Sequence, residues 1–268
     1  MQSIGGMLAA IDLYELAIVP ALLTNAESWT DISQEALDAL EELQNMFLRI
    51  ILRVPMSTPK MAMRWDFGML SMRFRIMIRK LTFVNSLHHQ DDKSLAKQIL
   101  QEQVRQGWPG LAKESAEICQ FLEMEDITDG MVAKNLWKRK VKQKTREKCE
   151  EEMKMEMKEK TKQKKMAEEE FGMKDYIRRE IVEDVRTIFR VRSGMVDVKM
   201  NFMNDPKYSS EIWRCNSCKT GAIESQSHVL HCQAYKKLRE GKDLNNDKDV
   251  ADYFRGVLLI RSKLDLLK

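Results

Sequence analysis

Apolar residues recur at helical spacing through most of this chain. Residues 7–23 are mostly apolar and predict a helix, with Pro20 as a kink or boundary, since proline lacks an N–H and crowds the preceding turn. Residues 24–30 read as a turn. Asp31 offers an N-cap, with Gln34 three residues on as its capping-box partner. Ile32, Ala36, Leu37, Leu40, Leu43, Phe47, Ile50, Ile51 and Val54 then follow at three- and four-residue steps, which predicts an amphipathic helix that Pro55 stops. Residues 57–68, with Pro59 and Trp65, read as a connection. A third helix begins near Leu70 and places Phe74, Met77, Ile78, Leu81, Val84 and Leu87 on its apolar face. Arg73, Arg75, Arg79 and Lys80 fall mainly elsewhere on it. Together with Arg49 and Arg53 they read either as a phosphate-contacting patch or as a solvated face.

Asp91 and Asp92 mark a loop. Residues 94–106 and 111–124 predict two further helices, separated by Gly107, Trp108, Pro109 and Gly110. Asp129 is a candidate cap for a longer helix. From 138 to 170 the chain is almost all Lys, Glu, Met and Gln without Gly or Pro, and rich in opposite charges four apart. It lacks a sustained heptad of apolar residues, so a coiled coil is not expected. A solvent-exposed helical spacer is. Gly172 restarts a folded region. Tyr176, Ile177, Ile181, Val185, Ile188 and Phe189 predict one helix, residues 195–208 a loop, residues 233–240 a basic helix and residues 250–267 a final apolar helix.

The composition agrees with a folded helical chain. Of 268 residues, 43% are hydrophobic and 32% charged, with only 11 Gly and 5 Pro to interrupt helices. The net charge of +4 permits a nucleic-acid partner without requiring one. The first six residues carry no basic leader region, and the longest apolar run, 16–23, is far too short to cross a bilayer. No membrane partner and no small-molecule substrate are expected. The expected location is intracellular, in nucleus or cytoplasm.

Five cysteines is an odd number, and three of them crowd into one window with histidine. The segment runs Trp213, Arg214, Cys215, Asn216, Ser217, Cys218, then nine residues, then His228, Val229, Leu230, His231, Cys232. Two cysteines separated by two residues can wrap a turn around one ion, and a His and a Cys four apart reach it from a single helical turn. Cys215, Cys218, His228 and Cys232 therefore predict one structural Zn2+. His231 adjoins Cys232 and is the poorer choice of imidazole. Four protein ligands leave no open position, so the metal is expected to fold a small module, not to catalyse.

Cations and rings surround this cluster. Arg190, Arg192, Lys199, Arg214, Lys219, Lys236, Lys237 and Arg239 alternate with Trp213, Tyr235, Phe202 and Tyr208. Cations for a phosphate backbone and rings for stacked bases suit single-stranded nucleic acid. The chosen contacts are Arg190, Arg192, Lys199, Trp213, Arg214, Lys219, Tyr235, Lys236, Lys237 and Arg239. The rings can equally cover a small core. Other chemistry is weaker. Adjacent His88 and His89 beside Asp91 and Asp92 do not readily share one ion. Cys119 and Cys149 read as a core thiol and a spacer thiol, and there is no Gly-rich phosphate loop.

The residues of 188–195, then Asn201 and Phe202, the Cys/His cluster with Glu224 to its front and Tyr235 to Arg239 behind it, resemble the C-terminal end of non-LTR (LINE-like) retrotransposon reverse transcriptases. The front of the chain, with Pro20, Glu27 and Trp29, then 40–44, 49–55, Thr58, Pro59 and Gly68, is similar to the thumb and post-thumb region of these elements. Leu23, Thr24 and Asn25 depart from the family, where a Tyr-Gly pair is common. The resemblance implies a zinc module that grips template RNA or target DNA, downstream of a polymerase. An aromatic-x-Asp-Asp motif for catalytic Mg2+ is absent here: Asp91 and Asp92 follow His88, His89 and Gln90 in a polar loop.

The expected architecture is mainly α: a helical thumb-like domain over 1–137, a charged helical spacer over 138–171, and over 172–268 a helix, the CCHC zinc module and a C-terminal helix. The expected function is RNA or single-stranded or target DNA binding by a non-enzymatic fragment of a retrotransposon reverse transcriptase. The alternative is a helical protein-interaction scaffold with a structural zinc and no nucleic-acid role.

Overall fold

The computed structural model describes residues 6–125, 132–160, 163–202, 213–218 and 220–265. The chain is about 70% helical, with no strand among the described residues. In chain order the helices are α1 (Gly6–Leu13), α2 (Val19–Leu22), α3 (Gln34–Leu52), α4 (Lys60–Phe67), α5 (Met72–His88), α6 (Leu95–Gln106) and α7 (Leu111–Phe121). There follow α8 (Lys134–Glu159), α9 (Lys164–Ala167), α10 (Asp175–Arg179), α11 (Val182–Arg192), α12 (Gln226–His231), α13 (Lys236–Arg239) and α14 (Asp247–Asp265).

Local chemistry sets most boundaries. A single wider turn, Tyr14–Ile18, joins α1 to α2, with the Val19 N–H donating to the Tyr14 carbonyl. It lies just before Pro20, whose missing donor and bulky ring disturb a regular ladder. Asp31 does not cap α3. Its φ is +51°, and its N–H donates to Glu114 Oε1 at 2.8 Å. Ser33 caps instead, its Oγ accepting the Ala36 N–H at 3.2 Å. Replacing Ser33 with alanine is expected to cost about 1 kcal/mol in a urea melt, the usual worth of a hydroxyl cap. The α3 helix closes through Arg53, at φ +51°, with the Val54 N–H reaching back to the Arg49 carbonyl.

The expected connection over 57–68 contains a helix. Pro59 precedes the first turn of α4, where a missing N–H costs nothing, and Gly68 ends it at φ +63°. A side chain at Gly68 would bring its Cβ within 2.8 Å of the Met173 nitrogen, so both conformation and space require glycine. The single helix expected around 176–189 is two, because Glu180 and Ile181 are extended between α10 and α11. Asp129 and Tyr208 lie outside the described residues, as does the end of the last predicted helix.

The chain divides into two compact units, at boundaries other than those expected from composition. One comprises Asp12–Phe47 and Met69–Glu156. Here Tyr14 stacks on Phe47 at 4.1 Å, and Phe74 packs against Phe121 at 6.2 Å. The expected basic patch on α5 is consumed internally. Arg75 makes a two-pronged pair with Glu15 at 2.6 and 2.7 Å, Arg79 pairs with Glu27, Lys80 with Glu114, and Arg73 with Glu152. The α8 helix differs from the solvent-exposed spacer that its composition suggests. Trp137, Val141, Thr145, Cys149 and Met153 are buried at four-residue steps along one side, and Trp137 donates its ring N–H to the Leu81 carbonyl at 2.9 Å.

The other unit comprises Met1–Ile11, Leu48–Gly68 and Met157–Lys268. Within it α4 is buried along nearly its whole length, and Trp65 packs on Phe171. Asp66, fully buried, accepts the Tyr176 hydroxyl at 2.7 Å and Arg192 Nε and Nη2 at 2.9 and 3.1 Å. Arg192 also reaches Glu169 at 2.5 Å, and Lys174 pairs with the same carboxylate. Burial pushes the Glu169 carboxyl up, but Arg192 and Lys174 outweigh it and hold it below its ordinary range. The α11 helix lies along α14, whose Tyr253, Phe254 and Val257 are buried with Val196, Val198, Val229 and Tyr235. That small core is the floor on which the Cys/His cluster rests.

Candidate metal centre

Two local structures present the four ligands. The first is a tight reversal. Arg214 and Ile223 form an antiparallel bridge, the Cys215 N–H donates to the Ala222 carbonyl at 2.9 Å, and the Glu224 N–H donates to the Trp213 carbonyl at 2.8 Å. Gly221 turns the chain at φ +68°, and Arg214 Nη1 donates to its carbonyl at 2.7 Å. Cys215 and Cys218 sit in this reversal. The second is α12, capped by Ser225, whose Oγ accepts the His228 N–H at 3.0 Å. His228 occupies its first turn and Cys232 its C-terminal cap, so both side chains look the same way.

The result is compact. Cys215 Sγ lies 4.0 Å from Cys232 Sγ, and Cys218 Sγ lies 3.5 Å from His228 Nε2. All four ligand atoms fall within 4.8 Å of one another, and together they could hold one metal ion. Tetrahedral zinc with Zn–S near 2.3 Å and Zn–N near 2.0 Å requires edges of about 3.8 Å between sulfurs and about 3.5 Å between sulfur and nitrogen. The two distances match within a few tenths of an ångström. Three thiols and an imidazole also form a soft, closed donor set with no carboxylate.

His231 is turned elsewhere. It is exposed, and its Nδ1 lies 2.9 Å from the Ser227 carbonyl. Cys215 and Cys232 are buried, while Cys218 and His228 are half-buried. The two flanks differ electrostatically. The Thr220 hydroxyl, 3.0 Å from the sulfur, brings the Cys218 thiol down to about 6, so that it is ready as a thiolate at neutral pH. Burial pushes the Cys232 thiol up to about 11, so a cation must displace its proton. Arg239 donates to the Cys232 carbonyl at 2.7 Å, and Tyr253 to the Val229 carbonyl at 2.5 Å, both pinning α12. Among the described residues no other group of three or more such side chains converges. Asp91 and Asp92 instead hold the turn before α6, accepting the Lys93 N–H and Lys97 Nζ.

The expected nucleic-acid contacts separate into three groups. Lys236 and Lys237 are exposed and make no hydrogen bond or ion pair among the described residues. Arg214 is exposed, and Trp213, Lys199, Arg190 and Arg239 are partly so. Lys199 Nζ donates to the Arg214 carbonyl, and Arg190 to the Arg53 carbonyl. Arg192 and Tyr235 are turned inward, contrary to expectation. Arg192 belongs to the Asp66 cluster. Tyr235 is 1% exposed, with its hydroxyl 2.5 Å from Ser217 Oγ, so no base can stack on it. Lys219, and the side chain of Phe202, lie outside the described residues.

Thr220, Ser225 and Arg239 carry roles that spacing alone does not assign. Only Ser225 had a readable signal, a serine three residues before His228, in the N-cap position. No protein-family profile, no curated protein and no solved structure matches this chain.

Proposed function

We propose that this chain binds RNA or single-stranded DNA through a zinc-stabilised C-terminal module, and that it represents the C-terminal part of a non-LTR retrotransposon reverse transcriptase without the polymerase centre. The observation that carries this reading is the convergence of Cys215, Cys218, His228 and Cys232 on one point. Zinc held there would lock the reversal 213–224 against α12 and supply no catalytic position, since all four ligands come from protein. Support for a nucleic-acid partner comes from the ammonium groups of Lys236 and Lys237, exposed and unpaired among the described residues four and five positions after the Cys232 ligand, and from exposed Arg214 beside half-exposed Trp213. The thumb-like assignment of the helices before it rests on the sequence resemblance.

The test uses the full zinc-loaded chain and fluorescent RNA and DNA oligonucleotides over a salt series. Binding should weaken steadily with salt, because each neutralised phosphate releases counterions. Changing both Lys236 and Lys237 to Glu should flatten the log–log slope by about 1.4, roughly 0.7 per phosphate on a single strand. No binding at low salt overturns the reading.

A second reading, a helical scaffold for protein partners, draws on α3. There Leu43 and Met46 are exposed three residues apart. Salt-insensitive self-association or protein capture, with no affinity for oligonucleotides, would favour it.

A further inference from the structure

Residues 134–146, the first half of α8, hold seven Lys and Arg and no Asp or Glu. Residues 147–156 reverse the balance, with five acids against two lysines. We propose that the first half of α8 is a track for the phosphate backbone of a nucleic-acid duplex. It belongs to the unit of Asp12–Phe47 and Met69–Glu156, whereas the zinc module belongs to the other, so it does not rest on the function proposed above.

The cations sort by partner. Lys140 pairs with Glu125 at 3.7 Å, and Lys144 with Glu147 at 3.5 Å. Lys134, Lys138, Arg139 and Lys142 are exposed and make no hydrogen bond or ion pair among the described residues. The helix gains nothing from them. Lys134, Lys138 and Lys142 follow one another at four-residue steps, where like charges repel and disfavour a helix. They also crowd the end of α8 at which the aligned peptide dipoles are already positive, and no acid stands in its first turn. The arginines of α5, in the same unit, show the opposite: Arg75 meets Glu15 and Arg79 meets Glu27. Positive charge that weakens its own helix and meets no carboxylate calls for an anion from outside.

Geometry names the anion. Trp137 and Val141 are buried, which turns Arg139 and Lys142 outward. A four-residue step advances about 6 Å along a helix axis. Phosphates recur about every 3.4 Å on each strand of a duplex, so the step is close to the roughly 6.8 Å between every second one. The basic half runs about 18 Å, enough to follow about five phosphates of one strand. Single-strand binding uses rings for the bases, and the exposed positions of 134–146 carry none. A membrane surface takes an apolar face, and Leu136 is the one large apolar side chain exposed there. What remains is a backbone contact that ignores base sequence.

The experiment is fluorescence anisotropy of the full zinc-loaded chain with DNA and RNA duplexes, and with their separate strands, over a salt series. A chain carrying Lys138→Gln, Arg139→Gln and Lys142→Gln should bind duplex at least about tenfold more weakly at low salt, with a log–log slope flatter by about 2.7, roughly 0.9 per phosphate. Glutamine matches lysine in helix propensity, and relief of the repulsion should leave the thermal midpoint at or above that of the parent. Should the midpoint fall, the parent chain decides, by whether duplex outcompetes polyglutamate and phosphatidylserine vesicles at equal charge. Either competitor displacing the duplex equally well, a slope unchanged by the three substitutions, or no binding of either duplex at low salt overturns the proposal. An equal fall in single-strand affinity does so too, since the choice of a duplex then fails. Duplex binding that survives Lys236→Glu with Lys237→Glu, while single-strand binding is lost, supports both surfaces. Duplex binding without single-strand binding leaves the α8 track standing and sinks the reading of the zinc module; the reverse sinks the track alone.

Discussion

Cys232→Ser is expected to abolish stoichiometric zinc and to unfold the C-terminal module. The sulfur sits 4.0 Å from that of Cys215, at the end of α12, and the ligand set has no spare member. Structural zinc sites in small peptides are worth about 10–16 kcal/mol at neutral pH, and that energy is folding energy. Loss of one ligand of four should reduce zinc affinity by at least about 100-fold, more than the loss of a supporting outer contact. Native mass spectrometry would report the missing ion, and near-ultraviolet circular dichroism the loosened surroundings of Trp213 and Tyr253. His228→Ala should behave in the same way, whereas His231→Ala should retain zinc, because His231 faces the Ser227 carbonyl instead. A Cys232→Ser chain that keeps one tightly held zinc and melts like its parent would refute the assignment. Acidification should empty the site too, since protons compete with the metal for three sulfurs and one imidazole.

Asp66→Ala should destabilise its unit by about 3–5 kcal/mol in urea, the penalty for removing one partner of a buried ion pair. Asp66 is fully buried and receives both Arg192 and the Tyr176 hydroxyl, so truncation leaves the phenol without its acceptor and the guanidinium with Glu169 alone. Tyr176→Phe removes only a neutral donor and should cost about 1 kcal/mol. A midpoint shift with unchanged slope would confirm that the native state is what suffers. Glu169, in the same cluster, sets a pH dependence. Its carboxyl lies below its ordinary range in the folded chain, so its contribution is complete above the unfolded value and fades as pH falls through the folded one. An Asp66→Ala chain within about 0.5 kcal/mol of the parent, as for an ordinary surface change, would show that the cluster stabilises nothing.

The metal centre was legible because its information is local. Two cysteines three apart, and a His and a Cys four apart, encode their own geometry whatever the rest of the chain does. Helix α3 was legible through its periodicity, but not its start, since Asp31 and Ser33 both resemble caps and only tertiary contact with Glu114 decides between them. Helix α4 was hidden by its punctuation. Pro59 and Gly68 read as a loop, although Pro59 stands just ahead of the first turn, where no ladder bond needs its N–H, and Gly68 ends the helix at φ +63°. The apolar side of α8 was masked by the lysines and glutamates around it. Five buried residues at four-residue steps wind slowly around the helix and never form a heptad. Arg192 looked like a phosphate ligand because nothing local ties it to Asp66, 126 positions earlier. Long-range ion pairing leaves no periodic trace.

The interior of this chain is unusually rich in thioether. Met63, Met69, Met72, Met153 and Met166 are all 3% exposed or less. Peroxide reaches such sulfurs slowly in the closed chain and quickly in any open one. Each sulfoxide formed is polar and wider than the atom it replaces, and it does not fit back where it came from. Unfolding under oxidising conditions thus becomes a ratchet, reversed only by enzymatic reduction. The lifetime of the protein there is set by how often it opens, not by how stable it is when closed.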